Sequence, residues 1–179
     1  MSESLSLRLA AEIDLPALRT LMDLAIADLL KPFLPPEGVA ASFEVMGLDS
    51  QLVRDGTYFV VEIDGVIAGC GGWSRRATLF GGDHSAGRDA RMLDPTTEPA
   101  RVRAMYTHPH FTRRGVGRRV LDACEAAARA EGFQSCEMAA TLAGEPLYRA
   151  CGYAPIEHFT ATTSGGYAVP LVRMGKALV

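Results

Sequence analysis

The residues best suited to chemistry are gathered in one stretch, Met105-Tyr106-Thr107-His108-Pro109-His110-Phe111-Thr112-Arg113-Arg114-Gly115-Val116-Gly117-Arg118-Arg119-Val120-Leu121. Gly115 and Gly117 stand at the head of a run in which Val116, Val120, Cys124 and Ala127 recur at helical spacing. The amides of a helix's first turn have no helical acceptor and lie at the positive end of the dipole, so such a start suits a phosphate. Glycine there lets an anion reach the backbone without meeting a Cβ. Arg113, Arg114, Arg118 and Arg119 add cations to the same turn and its flanks. Positive charge at a positive dipole end is unfavourable on its own. An anionic ligand removes the conflict. A glycine pair also serves tight turns and close helix packing, so the arginines are what tip the reading. No Lys-Ser or Lys-Thr follows the glycines, which argues against a nucleotide phosphate loop.

That turn must be held by a strand before it and a helix after it. Val102, Ala104 and Tyr106 alternate with Arg103, Met105 and Thr107, which predicts a strand with the first set on one face and the second on the other. Pro109 ends it. The helix that follows is expected to carry Glu125 and Arg129 on its outer side as an i,i+4 pair and to stop at Gly132.

Pro109 through Leu121, with Glu125, Ala128 and Gly132 downstream, resembles the acyl-CoA loop and helix of the GCN5-related N-acetyltransferase superfamily. The second part of that family's signature is matched by Pro146-Leu147-Tyr148-Arg149-Ala150-Cys151-Gly152-Tyr153. The likeness covers most of the chain and is strongest from Met105 to Tyr153. In the family's glycine loop the first position is usually Gln or Arg. Here it is Thr112, which can instead cap the helix start. The resemblance implies an α+β acyl-CoA N-acyltransferase fold: a mixed, mostly antiparallel central sheet flanked by helices on both faces.

Composition sets the outer bounds. A chain of 179 residues, 48% hydrophobic and 22% charged, fits one soluble globular domain over residues 1–179. A net charge of −3 argues against general nucleic-acid binding. Cys70, Cys124, Cys136 and Cys151 include no C-x-x-C pair and read as buried reduced thiols, with no metal site. Met1-Ser2-Glu3-Ser4 shows no secretory leader, and no apolar run spans a bilayer, so a cytoplasmic location is expected.

In chain order, Ser4 to Ala10 alternates as a first strand, and Asp14 is placed to cap a helix with the stripe Leu15, Leu18, Leu21, Met22, Ala25, Ile26 and Leu29. Pro35 to Gly38 reads as loop, and Val39 to about Arg54 as helix interrupted near Gly47. Asp64-Gly65 joins strands Thr57–Ile63 and Val66–Trp73 as a hairpin. Residues 75–101 form an irregular insertion, read either as a lid or wall for an acceptor or as a partly disordered excursion. Ser135–Ala140 is a short strand, Pro146 opens a brief helix, and Tyr153–Thr160 and Tyr167–Lys176 close the chain as strands.

The resemblance implies transfer of the acetyl group of acetyl-CoA to a primary amine, small-molecule or protein, by direct attack in a ternary complex. The coenzyme would be held by Met105, Tyr106 and Thr107 on the strand and by Thr112, Arg113, Arg114, Gly115, Val116, Gly117 and Arg118 on the loop. Tyr148 matches the family's frequent general acid, near the coenzyme sulfur. A phenol of pKa ~10 protonates a thiolate of pKa ~8.5 only against a gradient, so hydrogen bonding is an equal role for it. Glu62, Glu137 and His108 are candidate general bases, with a water chain as the alternative. Trp73 and Tyr106 are candidates for the acceptor pocket, though strand aromatics usually serve the core. No metal, nucleic acid or membrane partner is expected, and a homodimer stays open. The alternative is a non-catalytic acyl-CoA sensor, which needs the loop but not Tyr148.

Overall fold

The computed structural model describes residues 3–179, so the first two residues of the Met1–Ser4 stretch lie outside the described part. The alternating first run is β1 (Leu5–Leu9), antiparallel to β2 (Tyr58–Ile63). Asp64 and Gly65 both take positive φ, 49° and 79°, and turn the chain into β3 (Val66–Ser74). Such turns match the twist of the strands they join. β3 pairs antiparallel with β4 (Ala100–Thr107), and β4 pairs parallel with β5 (Ser135–Ala140). The closing hairpin, β6 (Ala154–Thr162) and β7 (Ala168–Ala177), adds β7 against β5 and leaves β6 at the edge. The sheet order is β1-β2-β3-β4-β5-β7-β6.

Helices cover both faces. α1 (Leu15–Leu29) buries Leu18, Met22 and Ile26 against Tyr58, Val60 and Tyr106 on one side. α4 (Val116–Ala130) buries Val116, Val120, Leu121 and Cys124 against Val61, Trp73, Val102 and Met138 on the other. α2 (Pro36–Val45) and α3 (Ser50–Arg54) follow α1, separated at Gly47, and α5 (Glu145–Ala150) follows β5. This is the mostly antiparallel α+β sheet with two-sided helices that the sequence led us to expect. Among the described residues no helix is long and apolar enough to cross a membrane. Burial pushes the thiols of Cys70 and Cys136 up to about 12, so both stay protonated.

Several local expectations are corrected. α2 begins at Pro36, inside the segment read as loop, because a proline suits a helix's first turn. Asp14 stands at the head of α1 but does not cap it; its carboxylate accepts from Ala11 N–H and twice from Arg8. Glu125 and Arg129 do not form an outer pair. Glu125 is buried and holds Lys176 Nζ at 2.9 Å, whereas Arg129 donates to Leu178 O. The end of α4 is as expected: Gly132 N–H bonds Arg129 O and Phe133 N–H bonds Ala128 O, the paired closure of a helix ending in an αL glycine.

The 75–101 insertion, which joins β3 to β4, is anchored at many points. Ala77 and Thr78 amides donate to Arg91 O and Asp89 O, drawing its two ends into a short ribbon. Arg76 clamps Asp55, at the end of α3, through two bonds of 2.8 and 3.0 Å. This pairing lowers the Asp55 pKa, with burial acting in the opposite direction. A carboxylate depressed in the folded state stabilises above its ordinary unfolded value, ~3.9, and loses that contribution as pH falls through its lower folded value. Asp55→Asn is therefore expected to cost roughly 1–2 kcal/mol near pH 7, with the deficit shrinking below about pH 4. Urea midpoints from pH 7 down to pH 3 check this; a deficit independent of pH would refute it.

Candidate active site

β4 and β5 meet only at their beginnings, Ala100 with Cys136 and Arg101 with Glu137, and no later residues pair. The parting of these two parallel strands opens a cavity of about 710 Å³. Its rim carries the ends of both strands, the start of α4, the whole turn of α5 around Tyr148, and residues from α1 and the insertion. His108 N–H donates back to Ala68 O of β3. Strand alternation then aims the Thr107 amide the other way, toward the gap.

β4 reaches this arrangement through a bulge. Tyr106 lies opposite Cys70 and Arg103 opposite Gly72, so Ala104 and Met105 together face Gly71. Ala104 takes φ +50°, a conformation costing an L-residue about 1–2 kcal/mol, and Tyr58 Oη holds its carbonyl at 2.6 Å. The extra residue breaks the strict alternation expected for this strand. Val102 and Met105 join the core beneath α4, whereas Ala104 and Tyr106 join the core beneath α1. Met105, Tyr106 and Thr107 all line the cavity.

The basic loop starts with a single turn of 3₁₀ helix, Pro109–Phe111. Thr112 does not cap α4; its hydroxyl bonds Pro109 O, and the N-cap is Gly115 at φ +77°. A side chain there would have open space but the wrong backbone, so the requirement is conformational. Gly117 is constrained by contact: a Cβ would come within 2.6 Å of Leu147 Cδ2, so this glycine lets α4 approach α5. The first-turn amides of Val116, Gly117 and Arg118 precede the bond from Arg119 N–H to Gly115 O and have no helical acceptor. Arg113 and Arg118 line the cavity with Thr112, Gly115, Val116 and Gly117, and among the described residues neither has a carboxylate partner. Arg114 is different. Its guanidinium pairs with Glu3 at 2.8 Å over the Phe111 ring, so its side chain is committed outside the cavity.

Tyr148 faces the loop across this cleft. Its ring packs on Gly144 and Tyr153, it is buried, and it lines the cavity. Among the described residues its hydroxyl makes no hydrogen bond within the chain, unlike Tyr58 and Tyr106. Burial raises its pKa, so the phenol keeps its proton. Tyr106 lines the same cavity, but its hydroxyl accepts Gly47 N–H at 2.9 Å and pins the α2–α3 junction to β4. Trp73 does not reach the cavity. It is core, edge-on to Phe133 and covered by Arg75.

None of the three candidate bases lines the cleft. Glu62 is held by Arg8 at 2.8 Å beside β1. Glu137 lies between Arg101 and Arg173, at 3.2 and 3.6 Å. His108 accepts from His110 N–H and packs against the rings of His110 and Phe111. Among the described residues no three His, Cys, Asp or Glu side chains are grouped to hold a metal. The apolar wall of the cavity was missed from sequence: Leu29, Leu30 and Phe33 from α1 and beyond it, and Leu79 and Phe80 from the insertion. The one signal was an adjacent apolar pair within an otherwise polar segment.

Solved structures of similar shape share this architecture. A GCN5-related N-acetyltransferase from Rhodopseudomonas palustris superposes at a TM-score of 0.71 with 18% identity, over 99% of this chain and 98% of its own. The protein yncA from Salmonella typhimurium, solved with its cofactor acetyl-CoA, gives 0.65 and 17% over 98% and 95%. PaiA N-acetyltransferase from Thermoplasma acidophilum, in complex with coenzyme A, gives 0.64 and 12% over 97% and 99%. No curated protein sequence matches this one. The profile of the acetyltransferase (GNAT) family does match, across residues 22–153, from α1 through the cleft to the residue after α5 and its turn. The chain belongs to the acetyltransferase (GNAT) family.

Proposed function

We propose that this chain transfers the acetyl group of acetyl-CoA to a primary amine by direct attack with both substrates in the cleft. One observation carries the reading: a buried phenol without a partner, Tyr148, faces the free amides of an arginine-flanked helix start across a single cavity. A sensor that only bound the coenzyme would not need that hydroxyl. The structural neighbours solved with acetyl-CoA or coenzyme A support the same choice of co-substrate.

The residues present fit such a ligand. The amides of Val116, Gly117 and Arg118, with Arg113 and Arg118, would hold its diphosphate, the arrangement expected for an anion at a helix N-terminus. Acetyl-CoA, when bound, supplies the acetyl thioester on which the amine acts. The Thr107 amide offers a donor toward a carbonyl oxygen in the gap, where a preorganised dipole is most effective. Tyr148 holds a proton at its hydroxyl for the departing sulfur. Because burial raises that phenol's pKa, its contribution is a hydrogen bond first and a proton transfer second. Confining both partners in one cleft supplies much of the rate.

Thiol release against a panel of amines, with acetyl-CoA hydrolysis as the control, tests the activity. The Arg113→Ala/Arg118→Ala double variant tests the coenzyme site. Two exposed charge contacts of up to about 1 kcal/mol each predict acetyl-CoA binding weakened by about 5- to 30-fold, with a shallower salt dependence. Undiminished affinity at low salt in calorimetric titration would remove the loop from the site.

A further inference from the structure

Among the described residues the cavity lining has no carboxylate and no imidazole. Every charged side chain on its lining is a cation: Arg103, Arg113 and Arg118. Its two tyrosines, Tyr106 and Tyr148, are kept neutral by burial. Away from the coenzyme loop the wall is apolar, made by Leu29, Leu30, Phe33, Met46, Leu79 and Phe80. Arg103 is buried and keeps this wall in place. Its guanidinium donates to Thr78 O and Gly81 O, the carbonyls on either side of Leu79-Phe80, and pairs with the buried Asp49 at 3.0 Å.

From this lining we infer that the acceptor is a small, weakly basic amine on an aromatic or branched apolar body, bound as the neutral free base. The inference rests on the acetyl-transfer reading and narrows its substrate class. A protonated amine entering this space would lose its hydration to hydrocarbon and find no carboxylate on the described lining to pair with. The atom balance points the same way. The nitrogen lone pair forms the bond to the acetyl carbon, and the carbon–sulfur bond breaks with its electrons going to sulfur. One proton leaves nitrogen and one is gained by sulfur, with Tyr148 and water between them. A neutral amine therefore gives amide and thiol with no net proton released. An ammonium has one proton more to discard, and among the described residues no carboxylate or imidazole lines the cavity to take it. At pH 7 an α-amine of pKa ~8 is ~10% neutral, whereas a lysine-type amine of pKa ~10.4 is ~0.04% neutral. Arylamines are neutral throughout this range. The cavity thus discriminates against polyamines and lysine side chains.

The test uses acetyl-CoA with four acceptors: aniline, phenylalanine amide, Nα-acetyl-lysine amide and spermidine. Thiol release and product mass are followed from pH 6 to 9, and acetyl-CoA binding is measured separately by calorimetry. Expected is turnover of aniline, and a kcat/KM at pH 7 at least ~100-fold higher for phenylalanine amide than for the two cationic acceptors, following their neutral fractions. The aniline profile should be flat, and the phenylalanine amide profile should rise with its own ionisation. Leu79→Glu, which puts a carboxylate into the wall, should raise the spermidine-to-aniline ratio at least tenfold. Equal or better turnover of the cationic acceptors, or a base-like pKa in the aniline profile, overturns the inference. So does acetyl-CoA binding with turnover of none of the four. In each of these cases the coenzyme assignment survives. Absence of acetyl-CoA binding overturns both.

Discussion

Replacing Tyr148 by Phe is expected to lower kcat by about 10²- to 10⁴-fold, the range for loss of one acid–base group, with acetyl-CoA affinity nearly unchanged. The ring stays on Gly144 and against Tyr153, and the hydroxyl it loses has no hydrogen-bond partner within the described chain. Stability should therefore not fall by the ~1 kcal/mol that deleting a satisfied hydroxyl costs. Tyr58→Phe gives the contrasting case. Its hydroxyl holds Ala104 O at 2.6 Å and steadies the bulge, so that variant should lose both stability and turnover. The informative measurement is kcat set beside melting temperature in the same two proteins. An unaltered kcat in Tyr148→Phe at saturating substrates would take the phenol out of the mechanism.

Much of this fold was legible because its signals are local. Asp64-Gly65 forced a hairpin, Gly132 closed a helix, and the stripe from Val116 to Cys124 declared its buried face. The glycine turn at Gly115 and Gly117 was readable because a turn running into a helix is a short motif, whereas Tyr148 was singled out by the resemblance alone; both line the one cavity. What escaped depended on partners far away in sequence. Glu125 looked solvent-facing until Lys176, 51 residues on, reached it across β5. Glu62 and Glu137 looked like bases until arginines on neighbouring strands claimed them. The bulge could not be read at all. Alanine carries no preference for φ +50°, and the residues that impose it belong to β2 and β3. Residues of the insertion do line the cavity, but its means of attachment was not legible, because a buried arginine in a strand looks like any exposed one until its carboxylate is found.

That attachment supports the second large effect. Arg103→Met is expected to destabilise the protein by about 3–5 kcal/mol, the cost of breaking a buried ion pair from one side. Arg103 and Asp49 have side chains only 3% and 2% exposed. Removing the guanidinium leaves Asp49 with Arg88 alone and takes the donor from Thr78 O and Gly81 O. Arg88, a quarter exposed, meets the same carboxylate from the solvent side, so Arg88→Met should cost about 1 kcal/mol or less. Asp49 also accepts Gln51 N–H at the start of α3, so Asp49→Asn alone should be costly. In the Arg103→Met/Asp49→Asn double variant the two losses should fall short of additive by more than about 1 kcal/mol, as expected for residues in one network. Function should separate along the same line. With Leu79-Phe80 released, KM for the acceptor should rise several-fold, while acetyl-CoA affinity, set at the far side of the cavity by the α4 start, should hold. Urea denaturation of the three single variants and the double one, with both substrate affinities measured in each, makes the comparison. An Arg103→Met protein within about 1 kcal/mol of the parent, or one that lost acetyl-CoA affinity first, would mean that the insertion is held by its other contacts and that Arg103 is not its clamp.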